Sequence, residues 1–279
     1  MRVDLADCSA RHPASNADSA PAVARLTVSV GAGEPVAIIG PSGSGKTTLL
    51  HLIACALRPS AGGFKLNGVN PWTLSTRELQ RLRGALFLAS QVPPLPPRQR
   101  VITSVLAGRL PHERVMTSLK SLFYPTGIAE AEQALAQFDL SEKLFERVDR
   151  LSGGERQRVA LARALVSKAS LFLVDEPLSA LDPTHAEEAI AALIHAARLR
   201  GATFLCTLHQ VDAALKHFPR IIGLRDGVMA FDLAASAVTP EILRALYANK
   251  LDELTGAAPA PEPLPALTAV PLPAVMHCR

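Results

Sequence analysis

Apolar positions along the chain fall into short uninterrupted runs and into longer stretches with helical spacing. Val36 to Ile39 is one such run; it ends in glycines and is followed by Thr48, Leu49, Leu50, Leu52 and Ile53. That order predicts a buried strand, a tight turn and a helix. Further strands are predicted at Phe64 to Leu66, closed by Asn67-Gly68, and at Ala85 to Ala89, Leu171 to Val174 and Phe204 to Leu208. Asp226-Gly227 lies between Ile221 to Leu224 and Val228 to Phe231 and reads as a late hairpin. Ala186, Ala189, Ile190, Leu193, Ile194 and Ala197 recur at helical spacing. Strands alternating with helices point to an α/β fold with a mainly parallel sheet.

Three stretches depart from this rhythm. The first two to three dozen residues, where Arg2, Asp4, Asp7 and Arg11 alternate with small residues, read as a lead-in. From about residue 92 to 150 the chain opens with Pro93, Pro94, Pro96 and Pro97 and then carries Ala131, Ala134, Leu135 and Phe138 at helical spacing, which predicts a helical insertion. From Thr255 onward prolines and alanines interrupt any regular element, so residues 255–279 are expected to be a disordered tail behind a domain covering 1–254.

Composition narrows the function. With 279 residues, 48% of them hydrophobic, the chain can bury an enzyme-sized core. The net charge is +4, but the basic residues are scattered and aromatics make up 4%, a poor footprint for nucleic acid. Cys8, Cys55, Cys206 and Cys278 lack metal-ligand or disulfide-framework spacing, so a reducing cytoplasm is the expected home. No stretch reaches the roughly 18 apolar residues of a membrane helix.

Three segments carry chemistry. Gly40, Pro41, Ser42, Gly43, Ser44, Gly45, Lys46 and Thr47 match GxxxxGK[ST] between a predicted strand and a predicted helix that continues with Thr48. There the backbone N–H groups and the helix N-terminus can face phosphate oxygens, Lys46 can neutralise them, and Thr47 can ligate Mg²⁺. The bland alternative is a glycine-rich turn. Leu171 to Glu176 is an apolar strand ending in two carboxylates; Asp175 suits the Mg²⁺ shell and Glu176 an attacking water, since adjacent strand residues face opposite ways. By itself the pair could equally be an exposed acidic strand end. Leu151-Ser152-Gly153-Gly154-Glu155 precedes a helix and reads either as a helix cap or as a second anion nest.

In their order these segments, together with Gln91, Ser179-Ala180-Leu181-Asp182 and His209, resemble the ABC ATPase family over about residues 22 to 250. The resemblance implies a P-loop NTPase with a RecA-like core, an antiparallel β subdomain and a helical subdomain. It implies that Lys46 and the loop bind the phosphates of ATP, that Thr47 and Gln91 coordinate Mg²⁺, that Glu176 is the general base and that His209 senses the γ-phosphate. Ser152, Gly153 and Gly154 would act on the ATP of a second copy, and Asp182 would link the two sites. One position departs from the family: where an aromatic side chain usually stacks on adenine stand Asn16 and its neighbours, and no Tyr, Phe or Trp precedes Phe64. The imidazole of His12 is the available substitute.

Within the family, Val105 to Leu110, Ser121-Leu122-Phe123, Leu208-His209-Gln210-Val211-Asp212 and Arg220 to Gly227 resemble the ATP-binding subunits of phosphonate importers. That implies a homodimer on the cytoplasmic face of the cell membrane, seated on permease subunits and served by an external substrate-binding protein. The long coiled-coil insertions or tandem cassettes of non-transport relatives are lacking, and intact Lys46, Asp175, Glu176 and His209 speak against a regulator that does not cleave nucleotide.

Overall fold

A computed structural model describes residues 1–12, 19–113, 126–178, 181 and 183–248. The lead-in forms two strands, β1 (Val3–Ala10) and β2 (Val23–Val30), rather than an unstructured approach. Both carry one residue with left-handed backbone, Asp7 (φ 49°) and Arg25 (φ 46°), and the β1–β2 register shifts between Leu5 and Cys8. The bulge interrupts the period-two alternation of β1 at Asp7, while β2 keeps it from Leu26 to Val30.

After β3 (Pro35–Ile39) and α1 (Lys46–Ile53) comes β4 (Ala61–Leu66), which joins β1 and β2 in an antiparallel sheet of order β2-β1-β4. Helix α2 (Thr76–Gly84) is opened by Ser75 and leads into β5 (Leu86–Ala89). The predicted insertion holds α3 (Val101–Leu106) and α4 (Ile128–Ala136), and both pack on α5 (Gly153–Val166), which lies beyond residue 150. The remaining elements are β6 (Leu171–Asp175), α6 (Pro183–Leu199), β7 (Thr203–Leu208), α7 (Val211–His217), β8 (Arg220–Arg225), β9 (Val228–Ala234) and α8 (Pro240–Leu246).

The larger sheet has the order β5-β6-β7-β3-β8-β9, parallel apart from β9. β9 returns antiparallel through Asp226 (φ 50°) and Gly227 (φ 78°), the positive pair that a two-residue hairpin turn of matching twist requires. Strand alternation sorts the core into two layers. Val36, Ile38, Leu171, Leu173 and Leu205 join α1 and the antiparallel sheet in one. Ala37, Ile39, Phe172, Val174, Phe204 and Cys206 face the helices in the other. Central strands are apolar on both faces because both are covered.

Candidate active site

The parallel strands deliver their C-terminal ends to one edge of the sheet. Ile39 pairs with Leu208, Asp175 with Thr207 and Ala89 with Val174. The residues that follow each strand, the loop 40–45 after β3, Glu176 after β6, His209 after β7 and Gln91 after β5, therefore gather along that edge, where open α/β sheets bind ligands.

The loop after β3 is held against its surroundings with no room for side chains at two points. A Cβ on Gly40 would stand 2.0 Å from the Leu224 carbonyl oxygen, and one on Gly45 would stand 2.2 Å from that of Ala22. Gly45 also adopts φ 99°, a left-handed turn that launches α1. The N–H of Gly227 donates to the Ser44 carbonyl at 3.2 Å, tying the β8–β9 hairpin to the loop. Lys46, the first residue of α1, is only 4% exposed, and its ammonium donates to the carbonyls of Gly40 (2.8 Å) and Pro41 (3.2 Å). The Ser44 hydroxyl is buried and makes no hydrogen bond among the described residues.

Asp175 is buried at the end of β6, and its Oδ1 accepts from the Thr207 hydroxyl at 2.6 Å. Burial raises its carboxyl pKa; hydrogen bonds from Thr207 and Thr47 pull the other way, and the neighbouring charge of Glu176 adds to the rise. Glu176 has left the strand: at φ 46° it turns in the left-handed region, so a backbone turn and not the strand pleat separates the two carboxylates. Such a conformation costs roughly 1–2 kcal/mol for a non-glycine residue. Two acceptors on Thr207 hold the Glu176 N–H, the hydroxyl at 3.0 Å and the carbonyl at 3.2 Å. The Glu176 Oε1 lies 2.6 Å from His209 Nε2 and 3.9 Å from Lys46 Nζ. An ionised carboxylate only accepts, so Nε2 carries the hydrogen of that short bond.

Thr207 is a working residue that the sequence did not single out. The signal was one hydroxyl inside the apolar run Phe204 to Leu208, which becomes meaningful only once register sets it beside Asp175. Gln91 is exposed, two residues past β5 at the same edge. Ser152, Gly153 and Gly154 open α5 on the helical layer. The Ser152 hydroxyl accepts from Glu155 N–H at 3.2 Å, and Glu155 accepts from Ser152 N–H at 2.7 Å. The helix-cap reading of this segment is thus real in its own right. His12 follows β1 closely, and Ala10 pairs with Val23 beside the Ala22 carbonyl that abuts Gly45, so the chain at residue 12 is near the loop's end of the small sheet. Asn16, Ser179, Ala180 and Asp182 lie outside the described residues, as do Ser121-Leu122-Phe123 and the tail 255–279.

The donor set fits a magnesium nucleotide. A buried ammonium, an unsatisfied buried hydroxyl and loop amides at the start of α1 suit phosphate oxygens. Thr47 and Asp175 offer hard oxygens of the kind Mg²⁺ prefers.

A phosphate loop after one strand, paired carboxylates after a second and a histidine after a third define a nucleotide-binding ATPase cassette. The chain belongs to the ABC transporter family, which matches residues 23–179. At 66% identity over 279 residues, covering all of both chains, it is similar to the phosphonates import ATP-binding protein PhnC of a Polaromonas species. A PhnC 2 from Albidiferax ferrireducens is 64% identical over the same full length. Among solved structures, the dimeric ATP-binding cassette MJ0796, in a post-hydrolysis state with ADP and Pi, superposes with a TM-score of 0.73. It is 26% identical and covers 84% of this chain and 98% of its own.

Proposed function

We propose that this chain is the ATP-hydrolysing subunit of a phosphonate importer. The observation that carries the ATPase half is the Lys46–Glu176–His209 cluster at the mouth of the phosphate loop. The full-length likeness to phosphonate import ATP-binding proteins carries the cargo half.

In this reading Lys46 and the loop amides bind the β- and γ-phosphates of ATP. Thr47, Asp175 and Gln91 would hold Mg²⁺, which would supply positive charge to neutralise that developing on the phosphates. Glu176 takes a proton from the attacking water, and His209 fixes the orientation of that carboxylate while its ring faces the γ-phosphate. Thr207 keeps the two carboxylates in separate roles by holding one side chain and the other backbone. Ser152, Gly153 and Gly154 present an exposed helix N-terminus that suits the phosphates of a second copy's ATP, and Asp182 connects the two sites across that dimer. The chain works peripherally, on the cytoplasmic face of the membrane, where permease subunits dock near Gln91 and the helical layer and a substrate-binding protein delivers cargo from outside.

The test is uptake of a labelled alkylphosphonate by host cells carrying Lys46→Ala. Loss of phosphonate uptake with phosphate uptake intact is the expected result. Unchanged phosphonate uptake would remove the cargo assignment.

A further inference from the structure

One short stretch of chain, residues 224–227, where β8 turns into β9, holds the phosphate loop at two points. Parallel register puts it there: Ile39, the last residue of β3, pairs with Gly223, so Gly40 runs beside Leu224. The Leu224 carbonyl oxygen occupies the space that a Cβ on Gly40 would need, at 2.0 Å. Three residues on, the Gly227 N–H donates to the Ser44 carbonyl at 3.2 Å, and the Gly227 carbonyl accepts from the Ala24 N–H at 2.7 Å. Gly43, between these two contacts, is open: a Cβ there would meet nothing within 4 Å. The loop is thus fixed against the hairpin at both ends and free in its middle, as a cradle for phosphate oxygens should be.

Arg225 lies inside this stretch and reaches α8. Its guanidinium donates to the Ala245 carbonyl at 2.6 Å, in the last turn of a helix of seven residues. Last-turn carbonyls lack helical partners and favour a cation. The Arg225 Nε also lies 3.5 Å from the Asp226 carboxylate, inside the turn itself. The helix end is anchored, since Leu246 and Tyr247 are buried in the core. Between α8 and the hairpin a groove of about 300 Å³ stays open, with Phe231 on one side and Ile242 and Leu246 on the other. Apolar packing alone therefore does not close hairpin onto helix there, and the arginine bridges them.

Resting on the ATPase reading above, we propose that residues 224–227 are the seat of the phosphate loop and that Arg225 is a positioning residue for nucleotide binding. By tying the seat to α8 it keeps the loop in its phosphate-ready shape before ATP arrives, so binding does not have to order the loop. The arginine acts on ATP only through Leu224 and Gly227.

The test compares the full chain carrying Arg225→Gln or Arg225→Lys with the wild type and with Ser75→Ala, a change of stability at the start of α2. Gln drops the charge; Lys keeps it. Arg225→Gln is expected to raise the KM for ATP and the Kd for ADP by roughly three- to tenfold with kcat unchanged, the scale on which residues outside a site modulate it. Amides of residues 40–47 should exchange hydrogen faster in that variant without nucleotide, and Arg225→Lys should recover most of both effects. Wild-type ADP affinity and loop exchange in Arg225→Gln would overturn the proposal, and so would a fall in kcat with KM unmoved. An equal rise of KM in Ser75→Ala would overturn it as well, because lost stability would then explain both. If Arg225→Gln does not fold, Ala245→Gly loosens the other end of the same tie and is read by the same quantities. Lys46→Ala tests the ATPase reading separately: wild-type hydrolysis by that variant would remove that reading, whatever Arg225 shows.

Discussion

Thr207 holds the two carboxylates apart with a single residue: its hydroxyl donates to Asp175 and accepts from the Glu176 N–H. The same geometry makes Asp175 a costly ion in the nucleotide-free protein. Its pKa is raised by burial, so the folded state keeps that proton more tightly than the unfolded chain does. The stability linked to it is fully present below the unfolded carboxylate range and is lost as pH rises through the folded value. Asp175→Asn is therefore expected to melt higher than the wild type near neutral pH without nucleotide, with the difference closing as the solution is acidified. Thermal melts across pH check this, and an advantage that grows in acid would contradict it. The same variant should lose the added thermal protection that Mg²⁺ confers on the ATP-bound wild type. Glu176→Gln should keep ATP binding and lose about 10²–10⁴ in turnover, the usual contribution of a general base. A phosphate-release assay near wild-type rate would place the base elsewhere.

Among the helices, α2 and α5 are started by the same device and stabilised differently. Ser75 and Glu78 form a capping box, with Glu78 accepting from the Ser75 N–H at 2.9 Å, as Ser152 and Glu155 do on α5. Helix α5 buries Val159, Leu161, Ala162 and Ala164 against the helical layer, whereas α2 buries none of its residues. Such a helix leans on local interactions, so Ser75→Ala should cost about 1 kcal/mol. In a chain of this size that lowers the melting temperature by about 2–4 °C, with ATP hydrolysis unchanged. An effect much larger than this in calorimetry would mean that α2 is held by contacts outside its cap. Its apolar stripe is only Leu79 and Leu82, partly buried against the core, too short for helical spacing to reveal α2 although its capping box is plain in the sequence.

For the whole molecule, the proposal above sets the exposed start of α5 of one copy against the phosphate loop of a second. Glu176→Gln with ATP and Mg²⁺ is expected to sediment as a dimer, because ATP binds and is not consumed. Adding Ser152→Phe, which puts bulk on the exposed helix start, should return it to a monomer while leaving ATP bound. A double variant that still dimerises would move the interface away from this segment.

The phosphate loop, the carboxylate strand, the late hairpin and the helix from Pro183 were legible in the sequence because each is a local matter: a glycine spacing, an apolar run, a turn dipeptide, a helical period. β1 and β2 were passed over for different reasons: a bulge at Asp7 interrupts the alternation of β1, whereas Leu26-Thr27-Val28-Ser29-Val30 of β2 alternates plainly and was a legible signal left unread. The separation of Asp175 from Glu176 was foreseen for the wrong cause: the pleat was expected, and a left-handed turn held by Thr207 supplies it. That the Lys46 ammonium, the Glu176 carboxylate and the His209 ring converge, from places up to 163 residues apart, is decided by the parallel register of β3, β6 and β7. Residue identity thus set which groups could act; the order of strands in the sheet set which of them meet, since pairing across a sheet depends on contacts that no local spacing encodes.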